Sequence, residues 1–173
     1  MANKNTTRRL TTCAMLVALG VVLLYLGSMI EVLDISMAVI VSCFCIFAVI
    51  EYGKSAPWLI YAVTSVLSLV LLPNKTPALL YLLFFGYYPI LKEKLEKRSL
   101  PISWLLKELV FHGALVLLLV LYHVTMTAPE ANPWLFYAAF VLLAEIAFPL
   151  YDLALTRLIS LYLFRLRKLF RIK

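Results

Sequence analysis

Residues 71–98 read LLPNKTPALLYLLFFGYYPILKEKLEKR. A tight polar turn, an apolar run from Pro77 to Leu91 and a basic connection stand side by side. An apolar run between two polar connections of different charge is the repeating unit of a membrane bundle. Lys75 is the lone cation of its turn, whereas nearly every other cation lies beside a different kind of connection.

The whole chain extends that pattern. Of its 173 residues, 64% are hydrophobic and 14% charged, and the mean hydropathy is +0.97. A soluble domain is about half apolar and about a quarter charged, so a water-soluble core of this size could not hide the apolar surface. The composition therefore implies an integral membrane protein and leaves no room for a soluble domain. The first apolar run meets no A-x-A-like site before Glu31 and Asp34, so it reads as a span, not a cleaved signal peptide. Cys13, Cys43 and Cys45 are odd in number and lack the spacing of metal or redox motifs, which predicts buried, inert thiols.

A crossing helix needs about 20 residues, with about 17–25 usual. Six runs qualify: Leu10–Ile30, Ile35–Ile50, Ala56–Leu72, Pro77–Leu91, Ile102–Val124 and Trp134–Phe164. The second and fourth are at the short limit, and Pro149 is expected to break the last. The fold class is thus all-α, a single transmembrane domain over residues 1–173. Six spans put both termini on one side, with the connections near 51–55 and 92–101. That side collects fifteen of the sixteen Lys and Arg residues, and only Lys75 falls opposite. The positive-inside rule then gives N-in, C-in. The net charge of +7 reads as anchoring against the anionic lipid bilayer. No nucleic-acid-binding signature is present.

The lone lysine has company that could carry chemistry. Thr76 reads as an N-cap and Pro77 as the first residue of the fourth helix. The N–H groups of that helix end, with Asn74 and Lys75, suit a carboxylate or phosphate on a small solute. A solvated loop lysine is the plainer reading. Within the bilayer, Glu145 lies eleven residues into the last span, about 16 Å from its outer end at 1.5 Å per residue. His112 lies at similar depth in the fifth span, with Glu108 one turn away on the same face. A His112–Glu145 contact would make the floor of a cavity or a proton relay, or simply an interhelical hydrogen bond. Lys107, Asp152 and Arg157 are expected to form a paired-charge network at the inner rim. Tyr81, Tyr122, Trp134, Phe136 and Tyr137 cluster toward the outer leaflet, as an interfacial belt or as stacking surfaces for a flat heterocycle. His123 reads as a surface residue. The candidate solute-binding set is Asn74, Lys75, Thr76, Tyr81, His112, Tyr122, Tyr137 and Glu145. There is no catalytic constellation, no metal-ligand spacing and no cofactor motif: Walker A, GxSxG and HExxH are all missing.

The first span begins RRLTTCAMLVALGVVLLYLG, with Ala14 and Ala18 on one face and Thr11 a turn earlier. Small residues so spaced let another helix approach closely in lipid. A basic N-terminus, this A-x-x-x-A span, six spans in all and a basic C-terminus together resemble the substrate-binding S components of energy-coupling factor (ECF) vitamin transporters. The motif itself is confined to Ala14–Ala18. The resemblance implies a bacterial plasma-membrane importer subunit that captures a vitamin-like solute from outside and hydrolyses nothing. It also implies that Ala14 and Ala18 face a transmembrane coupling subunit, which two cytoplasmic ATPases drive. The solute would sit under the loop joining the first two helices, yet the connection Glu31–Asp34 is very short for a gate. The alternative is a non-transporting scaffold subunit of a cell-wall or division complex. An intramembrane enzyme using Glu145 and His112 lacks both a nucleophile and a metal-ligand set.

Overall fold

The computed structural model describes residues 4–53, 55–125 and 133–166. Among them every regular element is helical: α1 Lys4–Met29, α2 Asp34–Tyr52, α3 Ser55–Leu71, α4 Thr76–Leu80, α5 Tyr88–Leu95, α6 Leu100–Thr125 and α7 Pro133–Leu161. A 3₁₀ turn covers Glu31–Leu33, and π-helical turns cover Tyr81–Phe85 and Tyr162–Leu166. Four helices, α1, α2, α6 and α7, are long and apolar enough to cross a membrane, and α3 is a shorter apolar helix. Such a set is compatible with a multi-pass membrane protein.

The chain divides after Leu118 into two compact units. In the first, α1, α2 and α3 pack on one another around Val17, Leu24, Ala38, Val41, Cys45 and Ile60. Lipid is as apolar as these side chains, so the helices hold together by close fit and internal hydrogen bonds more than by hydrophobicity. The packed face of α1 therefore carries small residues. A Cβ on Gly20 would stand only 3.1 Å from Val41 Cγ1, so glycine there lets α2 approach closely. Cys13 and Cys45 are buried, Cys43 is half-buried, and all three are free thiols.

The fourth apolar run is not one regular helix. It starts as α4, widens into the π turn, passes a two-residue turn at 86–87 and resumes as α5. Pro89 accounts for the interruption. It has no N–H for the carbonyl of Phe85, and its ring crowds that carbonyl. The helix adjusts just ahead of it: the Gly86 N–H reaches back five residues to the Tyr81 carbonyl at 2.7 Å. The widened turn presents the Leu82 carbonyl to the Tyr61 hydroxyl of α3, which donates to it at 2.9 Å. Gly86 is required there, because a Cβ would come within 2.6 Å of the Tyr61 ring and 2.8 Å of the Tyr81 carbonyl oxygen.

Two further expectations are corrected. α5 extends to Leu95, so Lys92 is helical and buried, not part of a loop. Pro149 does not break the last run, because α7 continues through it. Membrane helices tolerate proline where neighbours, side chains or small adjustments satisfy the affected backbone. In the second unit, the His123 Nδ1 and Tyr137 hydroxyl lie 3.0 Å apart, linking the end of α6 to the first turns of α7.

Candidate functional site

Two short connections meet at one end of the first unit. The 3₁₀ turn after α1 delivers Asp34 as the first residue of α2, and its side chain is buried. Asn74, in the turn between α3 and α4, donates from Nδ2 to Asp34 Oδ2 at 3.4 Å. The other face of the same amide serves the next helix. Asn74 Oδ1 accepts from the Thr76 N–H at 3.0 Å and from the Thr76 hydroxyl at 2.8 Å. One side chain thus ties the two connections together and satisfies a free donor at the start of α4.

Lys75 has a backbone partner too. Its Nζ donates to the carbonyl of Leu72, just past the end of α3. A cation beside terminal carbonyls is favourable, because the helix dipole is negative there. This geometry moves the cap expected at Thr76 by one position. The N-cap residue is Lys75, Thr76 opens α4, and the side chain that meets the Thr76 N–H is that of Asn74. Lys75 and Thr76 remain exposed, while Asn74 is half-buried. The structure therefore brings Asn74, Lys75 and Thr76 together and employs all three in shaping the turn.

Tyr81 is not at an exposed interface. It is fully buried at the start of the π turn, with its hydroxyl 3.3 Å from Cys45 Sγ and its ring 6.1 Å from that of Tyr61. Thr64 of α3 lies against it, and Ser65 and Ser68 of α3 and Ser42 of α2 are buried as well. Ser42 and Ser68 return their hydroxyls to backbone carbonyls three residues earlier, at 2.6 Å and 3.0 Å.

The remaining candidates divide between the units. His112, in the first, is exposed. Its Nδ1 donates to the Glu108 carbonyl at 2.9 Å and lies 3.7 Å from Glu108 Oε2. Glu145 and Tyr137, in the second, share one face of α7. With Trp134 and Val141 they line an open depression of about 810 Å³ whose wall is that helix alone. The side chains of Tyr122 and Phe136 lie outside the described residues. Within the first unit, Lys107 donates to Glu96 Oε1 at 3.0 Å. Ala14 and Ala18 are exposed along α1, each about 100° round the helix from the buried residue before it, Cys13 or Val17.

Opposite in character to the Asn74 turn is the corner between α5 and α6. Glu96 there accepts from two buried lysines, Lys92 at 2.7 Å and Lys107 at 3.0 Å. Burial opposes the charged carboxylate, but the two ammonium groups outweigh it and hold the Glu96 pKa below its ordinary value. Among the described residues no group of three or more His, Cys, Asp or Glu side chains is placed to hold a metal ion. No protein-family model, curated protein or solved structure matches the chain.

Three residues escaped the sequence reading. An acidic residue opening a helix was the available sign of Asp34. Pro89 was the sign of the π turn, four residues after the carbonyl it disturbs. For Tyr61 there was no sign, because a tyrosine in an apolar run reads equally as belt or core.

Proposed function

We propose that this chain is the membrane-embedded solute-binding subunit of an ECF-type importer in a bacterial plasma membrane. In this reading it captures a vitamin-like micronutrient on the side of the 72–76 turn. A transmembrane coupling subunit and two ATPases supply the energy, and this chain catalyses nothing. The bundle has six spans with both termini inside. The cation distribution supports that orientation, and length supports the count. Residues 76 to 95, twenty in all, cover about 30 Å at 1.5 Å per residue, enough to cross despite the interruption.

One observation carries the reading. Ala14 and Ala18 lie exposed on a helix that packs with another face against α2 and α3. A pair of small residues on an open helix face suits close approach by a partner helix in lipid. For the solute, Lys75 and Thr76, exposed in the first unit, offer a cation and a hydroxyl. Lys75 would exchange its Leu72 carbonyl for an anionic group of the solute.

The test has two arms. Purified protein is denatured and any released small molecule identified by mass spectrometry, followed by a binding panel of vitamins. A bound micronutrient, weakened by Lys75→Gln or Glu145→Gln in protein of unchanged fold, supports solute capture. An empty protein that binds no member of the panel refutes it. Separately, Ala14→Leu with Ala18→Leu should abolish copurification of a coupling subunit while leaving solute binding intact. Unchanged association removes the partner face.

The Asn74 turn itself favours a second reading. Its polar side chains are hydrogen-bonded to one another and to the backbone, as a purely structural turn requires. A non-transporting scaffold of a cell-wall or division complex needs nothing more, and it predicts copurifying proteins without any bound solute.

A further inference from the structure

The α5–α6 corner holds a further site that the solute reading does not use. Residues 92–98, KEKLEKR, carry four cations and two acids, and Lys107 of α6 adds a fifth cation. The acids are claimed within the corner. Glu96 binds Lys92 and Lys107, and Glu93 binds Lys97 at 2.6 Å. Lys94 and Arg98 stand apart from these pairs, both exposed. Among the described residues neither forms an ion pair.

Lys94 meets an aromatic side chain. The Lys94 ammonium lies over the indole of Trp58, 5.6 Å from its centroid, and Trp58 is 40% exposed at the start of α3. Beside it Leu59 of α3 is exposed, as are Leu100, Ile102 and Leu105 along the first turns of α6. A soluble anion would use the cations and gain nothing from that wall. An acidic protein would likewise leave the leucines uncovered. A molecule with an anionic head and hydrocarbon tails uses both.

We infer that Lys94, Arg98 and Trp58 form a headgroup site for an anionic phospholipid of the leaflet at the α5–α6 corner. The two cations hold the phosphate, and the indole marks the interface where amphipathic rings settle. The lysines locked on Glu96 and Glu93 keep the corner in shape without neutralising the two cations that face the lipid. The site is independent of the transport reading, since it binds lipid whether or not the bundle binds a solute.

Lipid retention tests it. The full chain is exchanged into micelles doped with phosphatidylglycerol or phosphatidylcholine, and retained lipid is counted by native mass spectrometry. Phosphatidylglycerol should be held preferentially. Each cation at an anionic surface contributes about fivefold in affinity. Lys94→Gln with Arg98→Gln should therefore weaken retention about thirtyfold, whereas Lys97→Gln should change it little. Both altered residues are exposed, so the fold should survive, and circular dichroism checks this. Brominated phosphatidylglycerol should quench Trp58 fluorescence in a chain with Trp104 and Trp134 replaced by Phe. Equal retention of the two lipids, or retention unmoved by the double substitution, overturns the assignment. Displacement by inorganic phosphate at concentrations matching the lipid's would also overturn it, because the site would then read a soluble anion.

Discussion

Gly86→Ala adds one methyl group where the structure has no place for it. The new Cβ would stand 2.6 Å from Tyr61 Cδ2, 2.9 Å from Tyr61 Cε2 and 2.8 Å from the Tyr81 carbonyl oxygen. That carbonyl cannot withdraw freely, since it accepts the Gly86 N–H that closes the π turn at 2.7 Å. Tyr61 could swing aside, but its hydroxyl would then leave the Leu82 carbonyl. Overpacking of this kind costs about 1–3 kcal/mol, and losing the hydrogen bond adds about 0.5–1.5 kcal/mol. Alanine's better helix propensity returns at most about 1 kcal/mol. The balance is a net destabilisation of about 0.5–3.5 kcal/mol. Gly113→Ala is the matched control, because nothing lies within 4 Å of a Cβ there. Only propensity acts at that position, so the same substitution should be neutral or stabilise by up to about 1 kcal/mol. Reversible unfolding in mixed micelles with increasing dodecyl sulfate, followed by circular dichroism, reads both. Opposite or clearly unequal effects are expected. A neutral Gly86→Ala, or equal changes at both glycines, would refute the account of the π turn.

Tyr61→Phe removes the donor to the Leu82 carbonyl and keeps the ring. Side-chain hydrogen bonds inside membrane bundles average about 0.6 kcal/mol and reach about 1.7 kcal/mol, so a loss in that range is expected, with faster amide exchange around residues 86–87. Unchanged exchange there would mean that the π turn does not depend on this hydroxyl. Glu96 gives a pH prediction whose sign follows from its lowered pKa. Its pairing with Lys92 and Lys107 stabilises the folded chain above the ordinary carboxylate value of 4.5. That contribution is lost as pH falls through the lower folded value. Acid unfolding of the wild type should therefore respond to pH across this window, and Glu96→Gln should flatten the response while lowering stability at neutral pH. An identical pH profile in the variant would dismiss the cluster as a source of acid sensitivity.

Apolar run length and polar punctuation made most of the helical architecture legible. The runs beginning at Leu10, Ile35, Ile102 and Trp134 each correspond to a helix long enough to cross a membrane, because about 20 uninterrupted apolar residues leave the backbone few other ways to satisfy itself in lipid. Less legible was where a run would bend. Pro149 and Pro89 look alike on paper, yet α7 passes through the first and the fourth run opens at the second. The difference lies beyond the proline itself. Beside Pro89 a glycine permits close contact with Tyr61, whose hydroxyl meets a carbonyl of the widened turn; no local pattern announces a partner that distant in sequence. The candidate site was legible as composition and not as wiring. Asn74, Lys75 and Thr76 are neighbours by sequence. That Asn74 would reach Asp34, and Lys75 the Leu72 carbonyl, depends on two connections meeting in space.

Helix α1 shows why the faces of such a bundle are hard to assign without coordinates. In water, apolar residues point inward and the pattern declares the core. In lipid both faces are apolar, so hydrophobicity is silent and volume becomes the signal. α1 carries small residues on both sides. Gly20 meets Val41 across a close internal contact, whereas Ala14 and Ala18 open outward beside Met15 and Leu19. From the sequence, either set could have been the internal one. With α2 already seated at Gly20, the alanines are left over from the packing of this unit. Nothing inside the unit requires their smallness, which makes that face the place to look for a neighbour that does.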